Sequence, residues 1–137
     1  MKKIIILLSA LAIILYISSC SKPNKCNAGT GGSVSFDLIP QHHGKPVPNR
    51  AAYLDSAFIK FNATDFPGAS PSSYDLVVQG NVGDLDIKVG GMQCGQYYIY
   101  MTGFDTVFHA RVVGGTPVNF TDQSGEKQFI IPITETI

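Results

Sequence analysis

The chain has 137 residues, 45% of them apolar, and its 10 Lys and Arg balance its 10 Asp and Glu. This length favours a single domain, and the apolar fraction excludes a wholly disordered chain. Only 15% of the residues are charged. Because nucleic-acid binding needs a basic face, this composition predicts no nucleic-acid partner.

The N-terminus has the pattern of an export signal. Two basic residues, Lys2 and Lys3, precede an apolar run at 4–17 that only Ser9 interrupts. A helix needs about 20 apolar residues to span a bilayer, so this run is short for a permanent anchor. Its length and its basic start are typical of the apolar core of a signal peptide.

A cysteine follows the apolar run at the position where a lipid would be attached. Ser18 and Ser19 precede Cys20, and small residues before a cysteine resemble the lipobox of bacterial lipoproteins. The resemblance implies a signal peptide at 1–19, cleaved before an acylated Cys20, and a lipid-anchored tether at 20–32. The alternative, a buried N-terminal helix with an ordinary cysteine, is disfavoured by the polar stretch that follows at once. Two or more acyl chains hold a protein stably at a membrane, whereas one binds marginally.

The other two cysteines form an even pair once Cys20 is assigned to lipid. Cys26 and Cys94 lie 68 positions apart, and an oxidising compartment favours a disulfide between them over two free thiols. Closing a loop of that length stabilises a fold by about 4 kcal/mol in the chain-entropy model. A zinc site is disfavoured because the sequence has no Cys-x-x-Cys pair.

Beyond residue 32 the hydrophobic period is two, which predicts strands rather than helices. The first predicted strand, Val34–Leu38, ends at Pro40, and a loop covers 41–49. The second contains Ala57–Phe61, and a long loop follows it at 63–73.

The second half of the chain continues the same pattern. The cleanest hairpin signal joins a third strand at Tyr74–Val78 to a fourth at Leu85–Val89 through a turn at Asn81–Gly83. The next strand, Gln96–Thr102, has apolar groups on both faces, as a central strand would. A turn at 103–105, a strand at Val107–Val113 stopped by two glycines, a short edge strand at 116–120 and a last strand at 127–134 complete the list. The prediction is an all-β sandwich of about seven strands within residues 33–137, one of them the short edge strand at 116–120.

A series of turn glycines and aromatic residues carries a family resemblance. Gly83–Ile87, Gly95–Tyr100 and Gly103–Asp105 resemble the core of the carboxypeptidase regulatory-like and Cna-B-like domains, and Gly44–Asn49 looks like their first hairpin. The chain departs from the pattern at Cys94, where proline is common, and in its longer segment before Gly95. The resemblance implies a transthyretin-like (prealbumin-like) Greek-key sandwich and a non-catalytic accessory, stalk or binding module, not an enzyme.

The histidines are the one metal-like set. His42, His43 and His109 offer imidazoles, and Met92 or Met101 would add a soft ligand for copper. Their spacing matches no known metal motif, so a solvated loop and one strand histidine are favoured over a metal site. No metal ligand and no cofactor are therefore predicted.

Two further groups of side chains have both a structural and a functional interpretation. Asp84 and Asp86 share a strand face and would suit calcium, but they also fit the solvent side of an amphipathic strand, which is favoured. Four aromatic residues would suit stacking on sugar rings, although core packing is favoured and the chain has no Trp: Tyr97, Tyr98, Tyr100 and Phe104.

These observations predict a membrane-anchored envelope lipoprotein that contacts another envelope component as a structural or binding module. The outer membrane is favoured because Ser21 rather than Asp follows Cys20, and the basic residues after it favour a periplasm-facing domain. The alternative is a periplasmic or surface protein that binds a metal or a glycan through loops at one end of the sandwich. An enzyme has the least support.

Overall fold

A computed structural model of the chain describes residues 26–136 as an all-β domain of two sheets. The predicted signal peptide at 1–19, Cys20 and the start of the tether lie outside the described residues. Within residues 26–136 the helical structure is a single 3-10 turn at Pro71–Ser73, and no helix there has the length and apolarity to cross a membrane.

The described part of the chain forms nine strands. Two of them have only two residues, which leaves seven of four residues or more. In chain order they are β1 (Thr30–His42), β2 (Lys45–Pro46), β3 (Ser56–Phe61), β4 (Leu76–Gln79), β5 (Ile87–Met92), β6 (Gly95–Asp105), β7 (Ala110–Phe120), β8 (Ser124–Pro132) and β9 (Thr134–Glu135).

The strands are divided between two sheets. In the first, β1 pairs with β2 and β5 antiparallel and with β8 parallel. In the second, the order is β4-β3-β6-β7-β9, and every pair is antiparallel. The parallel pair therefore joins the first strand of the domain to its last long strand.

Alternating side chains of β1 and β6 fill the space between the sheets. Val34, Phe36 and Leu38 of β1 are fully buried. The ring of Phe36 meets the ring of Tyr97 edge to face, with centroids 5.2 Å apart. Full burial of one such side chain contributes about 1.5–3 kcal/mol, so this row stabilises the packing of the two sheets.

The second face of β6 is also covered, as predicted for a central strand. Tyr98 and Tyr100 point away from the core and form a second buried cluster with Tyr74. The loop between β3 and β4 covers these rings, and Phe66 of that loop contacts Tyr98 and Tyr100. Tyr97, Tyr98 and Tyr100 of β6 thus serve packing on both faces.

The prediction that Pro40 ends the first strand is wrong, because β1 continues to His42. The carbonyl of Pro40 accepts a hydrogen bond from the N–H of Val47 at 2.9 Å. This bond lies on the β2 side of β1, one position beyond the last paired residues of the two strands. The missing proline N–H therefore falls where the ladder has stopped, and proline is tolerated there. The predicted loop at 41–49 accordingly contains a tight hairpin.

Two predicted interruptions by glycine are also wrong. Gly114 and Gly115 lie inside β7, which runs unbroken from 110 to 120. A Cβ on Gly114 would overlap the carbonyl oxygen of Pro132, and one on Gly115 would lie 2.8 Å from the ring of Tyr98. These glycines mark close approaches of backbone and ring, not turns. Likewise, Gly103–Asp105 belongs to β6, and the turn follows it.

The predicted hairpin between the third and fourth strands does not form. β4 lies in the second sheet and β5 in the first, so Asn81–Gly83 connects the sheets. Asn49 holds this connection: its backbone N–H donates to the carbonyl of Asp84, and its carbonyl accepts from Gly83, both at 2.9 Å. Leu85, predicted in the strand, precedes β5 and is 51% exposed.

The favoured disulfide is present. Cys26 and Cys94 are bonded, with their Cα atoms 4.9 Å apart. The bond fixes the start of the domain to the connection between β5 and β6. Beside it, the hydroxyl of the fully buried Tyr97 accepts a hydrogen bond from the N–H of Gly29 at 2.9 Å and donates to the carbonyl of Gln93.

Candidate functional site

The sandwich has two chemically different ends. The disulfide end contains Cys26 and Cys94, next to the start of β1. β1 has 13 residues, and at about 3.3 Å per residue it spans about 40 Å. It finishes at the opposite end, which contains His42 and His43 and is called the histidine end below.

His42 is the buried centre of the histidine end, with 2% of its surface exposed. Its Nδ1 lies 2.8 Å from Oδ2 of Asp105, the last residue of β6. The other oxygen of Asp105 accepts hydrogen bonds from the backbone N–H groups of Val107 and Phe108 at 2.8 and 3.2 Å. Asp105 therefore holds both the turn after β6 and the orientation of the imidazole.

Glu135 approaches the same imidazole from the other side. Its Oε2 lies 3.2 Å from Nε2 of His42, and its Oε1 lies 3.6 Å from Nε2 of His43. Glu135 reaches this position because the chain leaves the first sheet after β8 and pairs through β9 with Val112 of β7. One ligand atom from each of these two histidines and Glu135 lies within 4.8 Å of the others.

The hairpin after β1 positions His43. Its φ of 50° and the φ of 75° at Gly44 are both positive, as a two-residue hairpin turn of type I′ requires. Positive φ is uncommon for a residue other than glycine, although histidine tolerates it better than most. The ring of His43 lies 4.2 Å from the ring of His42 between centroids. Its side chain is 60% exposed, so the cluster is open to solvent there.

The carboxylates favour a cation at this end. The hydrogen bond to Asp105 raises the pKa of His42 above its ordinary value, against the opposing effect of burial. Burial alone would raise the pKa of Asp105, but the hydrogen bonds from His42 and from two backbone N–H groups outweigh it and lower that pKa. The site thus combines an ionised carboxylate with an imidazole that it orients.

The structure brings together only part of the candidate metal set, from which the sequence predicts no metal site. His42 and His43 are adjacent, whereas His109 is exposed in the turn between β6 and β7 and does not belong to the group of ligand atoms. Met92 and Met101 are fully buried in the core, so neither is available as a copper ligand. Glu135 takes the third position, and nothing in the linear sequence connects it with the histidines.

An apolar tip lies beside this polar cluster. Val107 and Phe108, in the turn between β6 and β7, are 79% and 55% exposed. The ring of Phe108 contacts the rings of both His42 and His43, with centroids 5.4 and 5.1 Å away. The histidine end therefore offers apolar and charged groups on one surface.

A second recess lies on the outer face of the second sheet. It is a groove of about 620 Å³, and Tyr53 and Phe104 stack in it with ring centroids 4.2 Å apart. Arg111 and Thr102 add polar groups to its lining. Of the four aromatic residues considered for sugar stacking, Phe104 alone lines this groove. Tyr97 is a core residue, and Tyr98 and Tyr100 are covered.

A buried carboxyl lies behind this groove. Asp55 has no exposed surface, and neither of its oxygens makes a hydrogen bond of good geometry. A Cβ on Gly103 of β6 would stand 2.5 Å from its Oδ1, so glycine is needed there. Desolvation raises the pKa of Asp55 to about 7, and the nearby backbone N–H of Phe104 offsets this only in part.

The two aspartates considered for calcium do not converge. Asp84 is exposed and accepts a hydrogen bond from the side chain of Asn81 at 3.3 Å. Asp86 lies instead beside Asp37, and this contact raises the pKa of Asp86. Nζ of Lys88 lies 3.7 Å from Oδ2 of Asp86, so Asp86 belongs to a charged surface of the first sheet.

The histidine end is the strongest candidate site in the described part of the chain. It gathers two imidazoles and two carboxylates from the end of β1 with its hairpin turn, from β6 and from β9, next to two exposed apolar side chains. Its partners at β6 and β9 are fixed by the sheet pairing and not by local sequence. Comparisons of the chain with protein-family models, with curated proteins and with solved structures found no match.

Proposed function

We propose that this chain is a lipid-anchored lipoprotein of the cell envelope and that its sandwich is a non-catalytic binding module. The observation that carries the proposal is the separation of its two ends. The disulfide end lies six positions after Cys20, whereas the exposed Val107 and Phe108 lie at the histidine end. An anchor at one end and a contact surface at the other suit a protein that meets a partner above a membrane.

The dimensions of the molecule support this orientation. With Cys26 in the disulfide, the free tether runs only from Cys20 to Cys26. A flexible chain of that length extends about 13 Å on average. The disulfide end would then stay near the lipid, with the histidine end about 40 Å farther along β1. The partner is an envelope component, and the outer membrane facing the periplasm remains the favoured location because Ser21 follows Cys20.

The strand order supports the finer fold assignment. The chain leaves the second sheet after β4, adds β5 to the first sheet and returns to place β6 beside β3. β6 therefore lies on the other side of β3 from β4, and a connection of this kind is the feature of a Greek key. It favours the transthyretin-like sandwich and the carboxypeptidase regulatory-like or Cna-B-like family that the turn glycines resemble.

The anchor is tested by labelling cells with a fatty acid and separating membranes from soluble protein. We expect the wild type to take up label and to stay with the membrane, and Cys20→Ala to lose the label. Cys26→Ala is the matched control, since it removes a cysteine of the same region and should keep the label. A Cys20→Ala protein that is still processed and held at the membrane would overturn the proposal.

The contact surface is tested with a photo-crosslinking residue placed at one end or the other. At Val107 we expect a discrete adduct with one envelope component. At Gln93, an exposed residue of the disulfide end, we expect none. Equal adducts at both positions, or none at Val107, would contradict a binding role for the histidine end.

A glycan ligand is the second candidate, and the stacked Tyr53 and Phe104 favour it. Aromatic faces bind sugar rings, and Arg111 adds a cation to the same groove. Titration with fragments of envelope polysaccharide should show saturable binding that Tyr53→Ala weakens. Phe66→Ala, which removes an exposed ring outside the groove, is the control and should bind as the wild type does.

A further inference from the structure

We propose that the histidine end binds one zinc ion through Nε2 of His42, Nε2 of His43 and a carboxylate oxygen of Glu135, with Asp105 as the positioning residue. The sequence pattern alone favours no metal site and does not single out Glu135 or Asp105. The zinc site lies within the folded domain and does not depend on the lipid anchor, so the zinc test and the test of Cys20 have separate outcomes.

The contact with Asp105 decides which nitrogen of His42 is free. A hydrogen bond at 2.8 Å to a carboxylate places the proton on Nδ1 and leaves the lone pair on Nε2. That lone pair lies 3.2 Å from a carboxylate oxygen of Glu135. Two acceptors at this distance repel unless a cation lies between them. A carboxylate bonded to the far nitrogen is also the usual partner of a metal-binding histidine.

A proton alone fits this gap poorly. Nε2 of His42 is buried and makes no hydrogen bond of acceptable geometry, although Glu135 is close enough for one. A hydrogen bond must lie along the N–H direction to be strong. A metal ion on the lone-pair axis of Nε2 would bind that nitrogen and could bind the Glu135 oxygen at an angle to the same axis. The short contact by itself also suits an imidazolium, and its misalignment is the feature that a metal ion on the lone-pair axis accommodates better.

The distances suit tetrahedral zinc. Zinc binds imidazole nitrogen and carboxylate oxygen at about 2.0–2.2 Å, which places neighbouring ligand atoms about 3.4 Å apart. Oε2 of Glu135 lies 3.2 Å from Nε2 of His42, and Oε1 of Glu135 lies 3.6 Å from Nε2 of His43, so one oxygen reaches both histidines after a small rotation of a side chain. The largest separation in the group is within 4.8 Å, and the exposed side chain of His43 closes it by rotation. Two histidines, one carboxylate and an open fourth position form a known zinc arrangement.

The open position gives the site a use in binding. The exposed side of His43 faces solvent next to Phe108. A fourth ligand from water or from a partner's histidine or carboxylate would complete the tetrahedron there. The zinc ion would thus add a directional bond to the apolar contact at the same surface.

The test is a zinc titration of the full chain in detergent against a chromophoric chelator. We expect one saturable site, and we expect Co²⁺ in its place to give the visible absorption of a tetrahedral complex. Asp105→Asn should weaken zinc binding by about 10- to 100-fold, as is typical for loss of an orienting partner. Glu135→Gln and His43→Ala remove ligands and should weaken it at least as much.

The variants are chosen so that folding does not obscure the result. His43 and Glu135 are exposed enough to be replaced without opening the core, and unchanged thermal unfolding without metal would verify this. His109→Ala is the matched control, because it removes an exposed histidine from the neighbouring turn and should bind zinc as the wild type does. Absence of saturable binding would overturn the proposal. So would equal weakening by His109→Ala and His43→Ala.

Discussion

Replacing Asp55 by asparagine should make the protein more stable at neutral and alkaline pH while changing little in acid. The carboxyl is fully buried without a good hydrogen bond, and desolvation raises its pKa from 3.8 to about 7. Asparagine has nearly the same shape and carries no charge at any pH. The substitution therefore isolates the cost of ionising this one group inside the protein.

The sign and the size follow from proton linkage. Between pH 3.8 and about 7 the folded protein holds the proton of Asp55, whereas the unfolded chain has released it. The free energy of unfolding therefore falls as pH rises, by about 1.4 kcal/mol per pH unit. Over roughly three units the loss reaches about 4 kcal/mol, and Asp55→Asn should avoid it.

The measurement is urea unfolding of wild type and variant at pH 4.5 and at pH 8. The variant should be more stable by about 4 kcal/mol at pH 8 and by only about 1 kcal/mol at pH 4.5. Asp65→Asn, which changes an exposed aspartate, controls for net charge and should follow the wild type at both values. A difference between variant and wild type that does not change with pH would refute the buried, uncompensated carboxyl.

Three further predictions concern stability. Replacing both Cys26 and Cys94 by serine should lower the free energy of unfolding by about 4 kcal/mol, since the bond closes a loop of 68 residues. Unfolding of the wild type that is insensitive to reductant would contradict this. Tyr97→Phe removes a hydroxyl that hydrogen-bonds the backbone at the disulfide end, and should lower the free energy of unfolding in urea by about 1–3 kcal/mol. Gly114→Ala should lower it by about 1–3 kcal/mol, because the added Cβ would overlap a backbone carbonyl. Gly90→Ala, which has ordinary space, should unfold as the wild type does.

The sequence predicts the strands well and their partners poorly. The alternation of Val34, Phe36 and Leu38 identifies the buried face of β1, because a strand repeats every two residues whatever lies next to it. It cannot say which sheet a strand joins, so β4 and β5 are mistaken for a hairpin. Pro40 and Gly114 are misjudged for the same reason: whether they interrupt a strand depends on the neighbour that they face.

The residues of the candidate site likewise divide into those that the sequence identifies and those that it does not. His42 and His43 stand out because they are adjacent in a chain with three histidines. Asp105 and Glu135 do not, because they come from other strands and only the pairing of β7 with β9 and the end of β6 bring them near. His109 is assigned to the set by residue type, and its place in the turn separates it from the others.

The parallel pairing of β1 with β8 has a consequence for the order in which the protein folds. Contacts such as the hydrogen bond from Gln128 to Asp37 join residues 91 positions apart, and long-range pairing of this kind slows folding. A chain that emerges from its N-terminus first cannot complete the first sheet until β8 has followed. If the protein is exported as proposed, the first sheet would stay incomplete until nearly all of the domain has crossed, because β8 crosses late.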